Sequence, residues 1–249
     1  MMKIGIIGVG HFGKTLALKL AKAGHDVAVA GSGEPEKISI EVLATGAQAV
    51  TVQQAAQNKD VIILSIPFKA YKDLPENLLQ ELPEHVVVMD TSNYYPLRDG
   101  ELAGLQGKTE SEYISETLGR PVIKVFNNIL EYSLKHKGKA AGEHGRIAIP
   151  VAGDNKEHKK VAALLVDQTG FDTVDGGSLS ESWRQQPGTP AYCTELTAEE
   201  LKQALADARK EKIPAVRDYI MDRIMSSETF PSHEEIVALN RSASAGNLR

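Results

Sequence analysis

The sequence predicts an α/β fold, a doubly wound parallel sheet with a C-terminal helical extension, on three observations. A β-branched run at the start of the chain opens through a glycine-rich turn into a helical stretch. Apolar runs then alternate with amphipathic or polar segments up to about residue 175, as strands do when crossover helices separate them. Beyond that point a loop gives way to residues rich in Ala, Leu, Glu and Lys with helical period.

The first strand is expected at 4–7. The residues after it, Gly8, Val9, Gly10, His11, Phe12 and Gly13, carry the spacing GxGxxG and open a helix over 12–23. That helix repeats Leu16, Leu20 and Ala23 on one face and ends at Gly24, a natural C-terminal cap. Residues 25–30 alternate into a second strand and complete a βαβ unit. Further strands are expected at 61–67 after Asn58, Lys59 and Asp60, at 86–92 after Pro83, at 121–127 after Gly119, and at 146–153 after Gly145. Helices are expected between them at 52–57, 71–82, 110–118 and 155–169. Thr197 and Glu200 form a capping box that starts a helical stretch over 197–224. A boundary near Gly177 divides the chain into a first domain of 1–177 and a loop and helical region of 178–249, with a frayed tail from Ser242.

Composition excludes several classes. A chain of 249 residues can bury one full core and an appended piece. Its net charge of −5 comes without a basic stripe, which argues against nucleic acid and anionic membrane as partners. No stretch approaches the roughly 20 apolar residues of a membrane span, and a strand that begins almost at Met1 leaves no signal peptide to expect. Cys193 is the one cysteine, so no disulfide forms within the chain and a cytoplasmic location is expected. The seven histidines, from His11 to His233, lack the spacings that chelate zinc, and no metal is expected. The basic loop 135–146 reads as a solvated surface.

The glycine spacing carries the chemistry. Between a strand and a helix it lets backbone N–H groups approach a pyrophosphate while the helix dipole favours the negative charge, so a dinucleotide site is expected. Ligands in an open parallel sheet collect beyond the carboxyl ends of its strands. After the second strand stand Ala30, Gly31, Ser32 and Gly33, without the acid that would grip a ribose diol. The missing carboxylate favours NADP over NAD, with Ser32 and Lys37 supplying a hydroxyl and a cation to the 2′-phosphate. Ser65, Ile66 and Pro67 end another strand at a residue that donates no ladder bond, a flat wall for a nicotinamide. Asp90, Thr91, Ser92 and Asn93 end the next, and Phe126, Asn127 and Asn128 the one after, with Asn127 the candidate ligand contact. No proton relay, triad or carboxylate pair appears, so no catalytic residue is assigned. Tyr94, Tyr95 and Lys124 stand nearest the strand ends and read as structural, Lys124 alternating outward on its strand. The loop from Trp183 to Tyr192 reads as packing rather than as an aromatic platform.

Taken in order, GIIGVGHFGKTLALKLAKAGHDVAVAGS, LSIP, DTSN, KVFNN, VAGDN and GFDTVDGG resemble the NADP-dependent oxidoreductases grouped with the deazaflavin (coenzyme F-420) reductases. They are also similar to the NADPH domain of the six-transmembrane epithelial antigen metalloreductases. The resemblance runs from Met1 to about Ser180. It implies a Rossmann-type fold, NADP(H) held by Gly8 to Gly13 and by Ser32, and a nicotinamide near Ile66, Pro67 and Asn127. It further implies hydride transfer to a small-molecule acceptor, a flavin or deazaflavin as co-substrate. Relatives commonly carry arginine after the serine, where this chain has Gly33, and the residues from Trp183 onward extend past the resemblance. A non-catalytic NADP sensor and a reductase of a small carbonyl or imine are the alternative readings, and the C-terminal helices are a candidate homodimer contact.

Overall fold

The computed structural model describes residues 1–248. Six parallel strands, β1 (Lys3–Ile7), β2 (Asp26–Ala30), β3 (Gln48–Ala49), β4 (Val61–Leu64), β5 (Val87–Asp90) and β6 (Ile123–Lys124), form one sheet in the order 3-2-1-4-5-6. Strands β7 (Ala148–Val151) and β8 (Asp172–Asp175) form a separate parallel pair. An antiparallel bridge between Lys124 and Ala152 ties that pair to β6. The chain reverses direction across the sheet between β1 and β4, the position where an open α/β sheet offers a ligand crevice.

Both faces of the sheet are covered, which is why its strands read as continuous apolar runs. Ile4, Ile6, Val27, Val29, Ile63 and Met89 pack on one side. Ile7, Ile62, Leu64 and Val88 pack on the other. The side-chain period of two thus sorts neighbouring residues of one strand into opposite cores. Gly5 is part of this packing, because a Cβ there would stand 1.7 Å from the carbonyl oxygen of Ala55 in the Val52–Ala56 helix. The helix His11–Lys22 buries Leu16 and Leu20 and is followed by Gly24 with φ +89°, whereas Ala23 caps it exposed to solvent.

Several expected elements come out differently. Residues 71–82 form no α-helix: a 3-10 segment at Phe68–Asp73 leads into turns, because Pro75 supplies no N–H and Asn77 takes a left-handed φ of 59°. The strand expected at 121–127 shrinks to two paired residues, and β3 and β8 are strands that the apolar pattern did not announce. The stretch 197–224 splits into helices Ala198–Asp207 and Ile213–Met225, the second with Pro214 in its first turn. The helix His233–Ser244, held at its start by a reciprocal Ser232 and Glu235 capping box, takes in the first three residues of the tail expected from Ser242. Lys124 does not point outward. It is fully buried, because the helix Glu110–Leu118 and the neighbouring β5 supply carboxylates on the side where solvent was expected.

Candidate active site

At the carboxyl end of β1 the chain turns through Gly8, whose φ of +106° no side chain tolerates well and whose Cβ would lie 2.1 Å from the carbonyl oxygen of Ser65. Gly13 is equally constrained, since a Cβ there would meet the carbonyl oxygen of Gly8 at 1.9 Å. These two glycines close the turn on itself and onto β4. Gly10 differs. It is the N-cap of His11–Lys22, has ordinary extended backbone, and a Cβ on it would touch nothing within 4 Å. No side chain caps that helix and no acid occupies its first turn. Its first amides and the positive end of its dipole are left facing open space, the arrangement an anion fills.

A cavity of about 390 Å³ lies over this terminus. Gly10, His11, Phe12 and Gly13 form one edge, Ser65, Ile66 and Pro67 the next, and Asn127 the far side. Gly8, Val9, Gly31, Ser32 and Lys37 lie outside its walls. Gly8 and Val9 brace the turn from behind: the Gly8 amide donates to Ala30 at 2.8 Å, and Val9 packs against Gly31. Ser32 and Lys37 are exposed beyond the end of β2, and the Lys37 stem passes Gly33 closely. No carboxylate replaces the acid absent from β2; Glu34 is the N-cap of the next turn.

The strand-end polar residues form a relay rather than a row of free donors. Asn127 donates from Nδ2 to Asn93 Oδ1 at 2.9 Å and to the Gln185 carbonyl at 2.7 Å, while Gln185 Nε2 donates to Asn127 Oδ1 at 2.8 Å. Its carboxamide is therefore engaged within the protein at both ends. Asn93 returns a bond to the Asn127 carbonyl at 2.9 Å and reaches the Tyr192 hydroxyl at 3.4 Å. Tyr192 and Tyr95 pair through their hydroxyls at 2.7 Å. Phe126, buried in the same wall, takes a φ of 63°, backbone strain of the kind that surrounding structure must hold in place at a site.

Behind Ser92 lies a second polar cluster. Asp90 Oδ1 accepts from Tyr71 at 2.7 Å and from the Ser92 amide and hydroxyl, and Oδ2 accepts from Ser111 at 2.6 Å and Lys124 Nζ at 3.1 Å. Lys124 also donates to the Ser92 carbonyl. Burial pushes the Asp90 carboxyl up, but Lys124 and the three hydroxyls outweigh it and hold the group below its ordinary value. Glu110, 3.7 Å from Lys124, is pushed up to about 7 by burial against that same cation. Lys124 thus anchors the Ser92 backbone at the cavity's edge instead of serving it as a proton donor. Trp183 lines neither this cavity nor its neighbour; the Arg184 guanidinium covers its ring at 4.4 Å.

Tyr95, Arg98, Leu130, Glu131, Tyr192 and Cys193 also line the cavity, and sequence reading assigned none of them to the site. Tyr95 and Tyr192 read as structural in the sequence, and their meeting across 97 residues has no local signal.

A parallel sheet of order 3-2-1-4-5-6, a glycine turn and an uncapped helix N-terminus define a dinucleotide-binding protein of the Rossmann type. Residues 3–94 match the family described as NADP oxidoreductase, coenzyme F420-dependent. YjhV of Escherichia coli (strain K12) is 39% identical over 123 residues, which cover 49% of this chain and 82% of that protein. Metalloreductase STEAP3 of Rattus norvegicus is 28% identical over 181 residues, 72% of this chain but 35% of the longer relative. Among solved structures, the hypothetical protein SMa0349 of Sinorhizobium meliloti superposes with a TM-score of 0.66 at 27% identity, over 79% of this chain and 96% of that one. Glycerol-3-phosphate dehydrogenase of Coxiella burnetii shares the fold, at a TM-score of 0.58 and 14% identity over 96% of this chain and 65% of its own. The chain belongs to the F420-dependent NADP oxidoreductase family, and it is an NADP-dependent oxidoreductase. Among the described residues no helix is long and apolar enough to cross a membrane.

Proposed function

We propose that this chain transfers a hydride between NADP(H) and a flat ring acceptor of the flavin or deazaflavin type. The observation that carries the nucleotide half is the open space over Gly10 beside uncapped amides, in a turn whose other two glycines are closed by backbone. Gly8 to Gly13 cradle the pyrophosphate there. Gly31 leaves room at the end of β2 for the adenosine ribose, and Ser32 with Lys37 meets its 2′-phosphate. Ser65, Ile66 and Pro67 form the flat wall for the nicotinamide, and Asn127 holds Asn93 in register beside it. When bound, NADPH supplies the hydride. The chain's own part is to orient two rings and exclude water, which for a ring acceptor contributes more than an added acid or base. Residues 1–177 supply the nucleotide half of this site and residues 178–249 close it. Burial pushes the Cys193 thiol up to about 12, which keeps it protonated at neutral pH.

Calorimetric titration of the wild type with NADP⁺ and NAD⁺ tests the reading. NADP⁺ binding the tighter is the expected result, with Gly10→Val folding normally by circular dichroism yet losing about 100-fold in affinity, since a side chain there occupies the phosphate position. Ser32→Asp is expected to reverse the preference toward NAD⁺. Unchanged affinity in Gly10→Val overturns the assignment. Stopped-flow oxidation of NADPH by riboflavin, a deazaflavin and ferric citrate then ranks the acceptors, and no oxidation above background with any of them counts against the ring-acceptor reading.

A further inference from the structure

Next to the nucleotide cavity is a second one of about 440 Å³, and the two share Tyr95, Arg98, Leu130, Tyr192 and Cys193 as a common wall. Their chemistry is opposite. The second cavity is walled by Ile220, Met221, Ile224, Met225, Phe230 and Ile236, from the helices Ile213–Met225 and His233–Ser244 and the link between them. Met225 and Phe230 stand at its mouth more than two-thirds exposed, at 73% and 80%. Two cations border it, and both are already paired. Arg98 donates to Asp99 at 3.0 and 2.8 Å, and Arg217 to Asp218 at 2.8 Å.

We infer that this apolar cavity is the acceptor site, and that it takes a flat, conjugated, uncharged carbonyl-bearing ring, inserted between the Tyr95 and Tyr192 wall and the C-terminal helices. This rests on the nucleotide reading above, because the two cavities adjoin along these shared residues and a ring seated here lies beside the nicotinamide end. Apolar walls on several sides extract an uncharged ring from water and gain about four-fold in affinity for each buried methylene. Among the described residues each cation bordering the cavity already holds a carboxylate, so a phosphate or carboxylate tail has to compete for it and recovers little of its lost hydration. A riboflavin-type ring and a naphthoquinone share the required chemistry, and a flavin nucleotide lacks it.

The electron count closes on groups already described. The ring gains the hydride from NADPH and one proton, giving NADP⁺ and the two-electron-reduced acceptor. Tyr192, which borders both cavities and pairs with Tyr95 through its hydroxyl, gives that proton to the ring, and solvent returns it through Tyr95 once the product has left. Burial raises both phenols above their ordinary value, so each keeps its proton at neutral pH until the ring calls for it.

Calorimetry on the full chain with riboflavin, flavin mononucleotide and 2-methyl-1,4-naphthoquinone, with and without saturating NADP⁺, separates the outcomes. Riboflavin and the quinone are expected to bind, and flavin mononucleotide about ten-fold more weakly or worse. Met221→Trp, which fills the cavity, and Phe230→Asp, an exposed position that spares the fold, are both expected to weaken riboflavin about ten-fold while leaving NADP⁺ affinity unchanged. Tyr192→Phe is expected to keep riboflavin binding and to lower kcat about 100-fold. Riboflavin bound equally well by both cavity variants overturns the inference. So does a shift from dimer to monomer in those variants with acceptor affinity intact, since the cavity mouth is then a contact between two copies. Failure of NADP⁺ to bind, with riboflavin still sensitive to Met221→Trp, overturns the nucleotide reading and leaves the cavity assignment standing.

Discussion

The two neighbouring cavities are held by different physics. Around the glycine turn the walls are backbone and buried polar groups: Gly8 and Gly13 fit against carbonyl oxygens, and Asp90, Lys124 and Ser92 lock the edge of β5 through directed bonds. Around the apolar cavity the walls are side chains of two short helices that share a small cluster of Val216, Ile220 and Ala243. Directed bonds in a dry interior admit one geometry and fail sharply when one member is removed. A small apolar cluster tolerates reshaping. The contrast suits the division of labour proposed above, a rigid seat for a nucleotide whose shape never varies and an adaptable one for the acceptor.

The largest test of this contrast is Lys124→Met. The substitution conserves volume but leaves the Asp90 carboxylate buried with hydroxyl donors and no cation, which costs about 3–5 kcal/mol. Urea denaturation is expected to show that loss, with Asp90→Asn in the same chain recovering part of it. A loss below about 1 kcal/mol would mean that Asp90 is protonated in the folded state and that the polar seat is not charged at all.

Next in size is a pH effect from the same cluster. Glu110 carries a folded-state value of about 7 against an ordinary 4.5, so between those values the folded chain holds a proton that the unfolded chain has released. Stability therefore falls as pH rises from about 4.5 to about 7 and is level above that, with Glu110 contributing at most about 3 kcal/mol. Glu110→Gln is expected to flatten the profile in this window. An unaltered slope in that variant would assign the pH dependence to another group.

These two predictions rest on the residue whose sequence reading failed. Alternation along a strand places side chains on opposite faces, but it says nothing about whether both faces are covered, and Lys124 was read outward where Glu110–Leu118 lies. The glycine turn was legible because its parts are contiguous and each has a local cause. The relay that links Asn93, Asn127 and Gln185 joins residues 34 and 58 positions apart, and the Tyr95 and Tyr192 pair spans 97, so no window of sequence contains them. Residues 71–82 have helical period, yet Pro75 and Asn77 override it. The last helix has a local signal, since Ser232 and Glu235 stand in capping-box spacing ahead of a periodic run.

A third prediction moves to the apolar side. Ile220→Ala removes the centre of the small C-terminal cluster and is expected to cost about 2 kcal/mol, the low end for such a truncation, because the adjoining cavity lets neighbours relax. Hydrogen exchange is expected to quicken in Ile213–Met225 and His233–Ser244 and to stay unchanged in β1, β4 and β5. Faster exchange in the sheet would show that the two regions unfold as one cooperative unit, and the contrast between them would be lost.

The smallest effect is the most local. Ser232→Ala removes the hydroxyl that accepts from the Glu235 amide at 3.3 Å and costs about 1 kcal/mol. Its reach depends on what the helix holds. From that helix His233 meets the Glu195 carboxylate at 2.7 Å, and Arg241 donates to the Thr194 carbonyl at 2.7 Å. Those bonds restrain a segment in which Cys193 and Glu195 both take left-handed backbone, at φ 54° and 51°, directly after Tyr192. Fraying at Ser232 is therefore expected to raise exchange at the amides of 193–195 as well as in the helix itself, and to weaken riboflavin more than NADP⁺. Exchange confined to the first turn of the helix would show that the Tyr192 wall is held from the sheet side alone, through Asn93 and the Cys193 amide bonded to the Asn128 carbonyl.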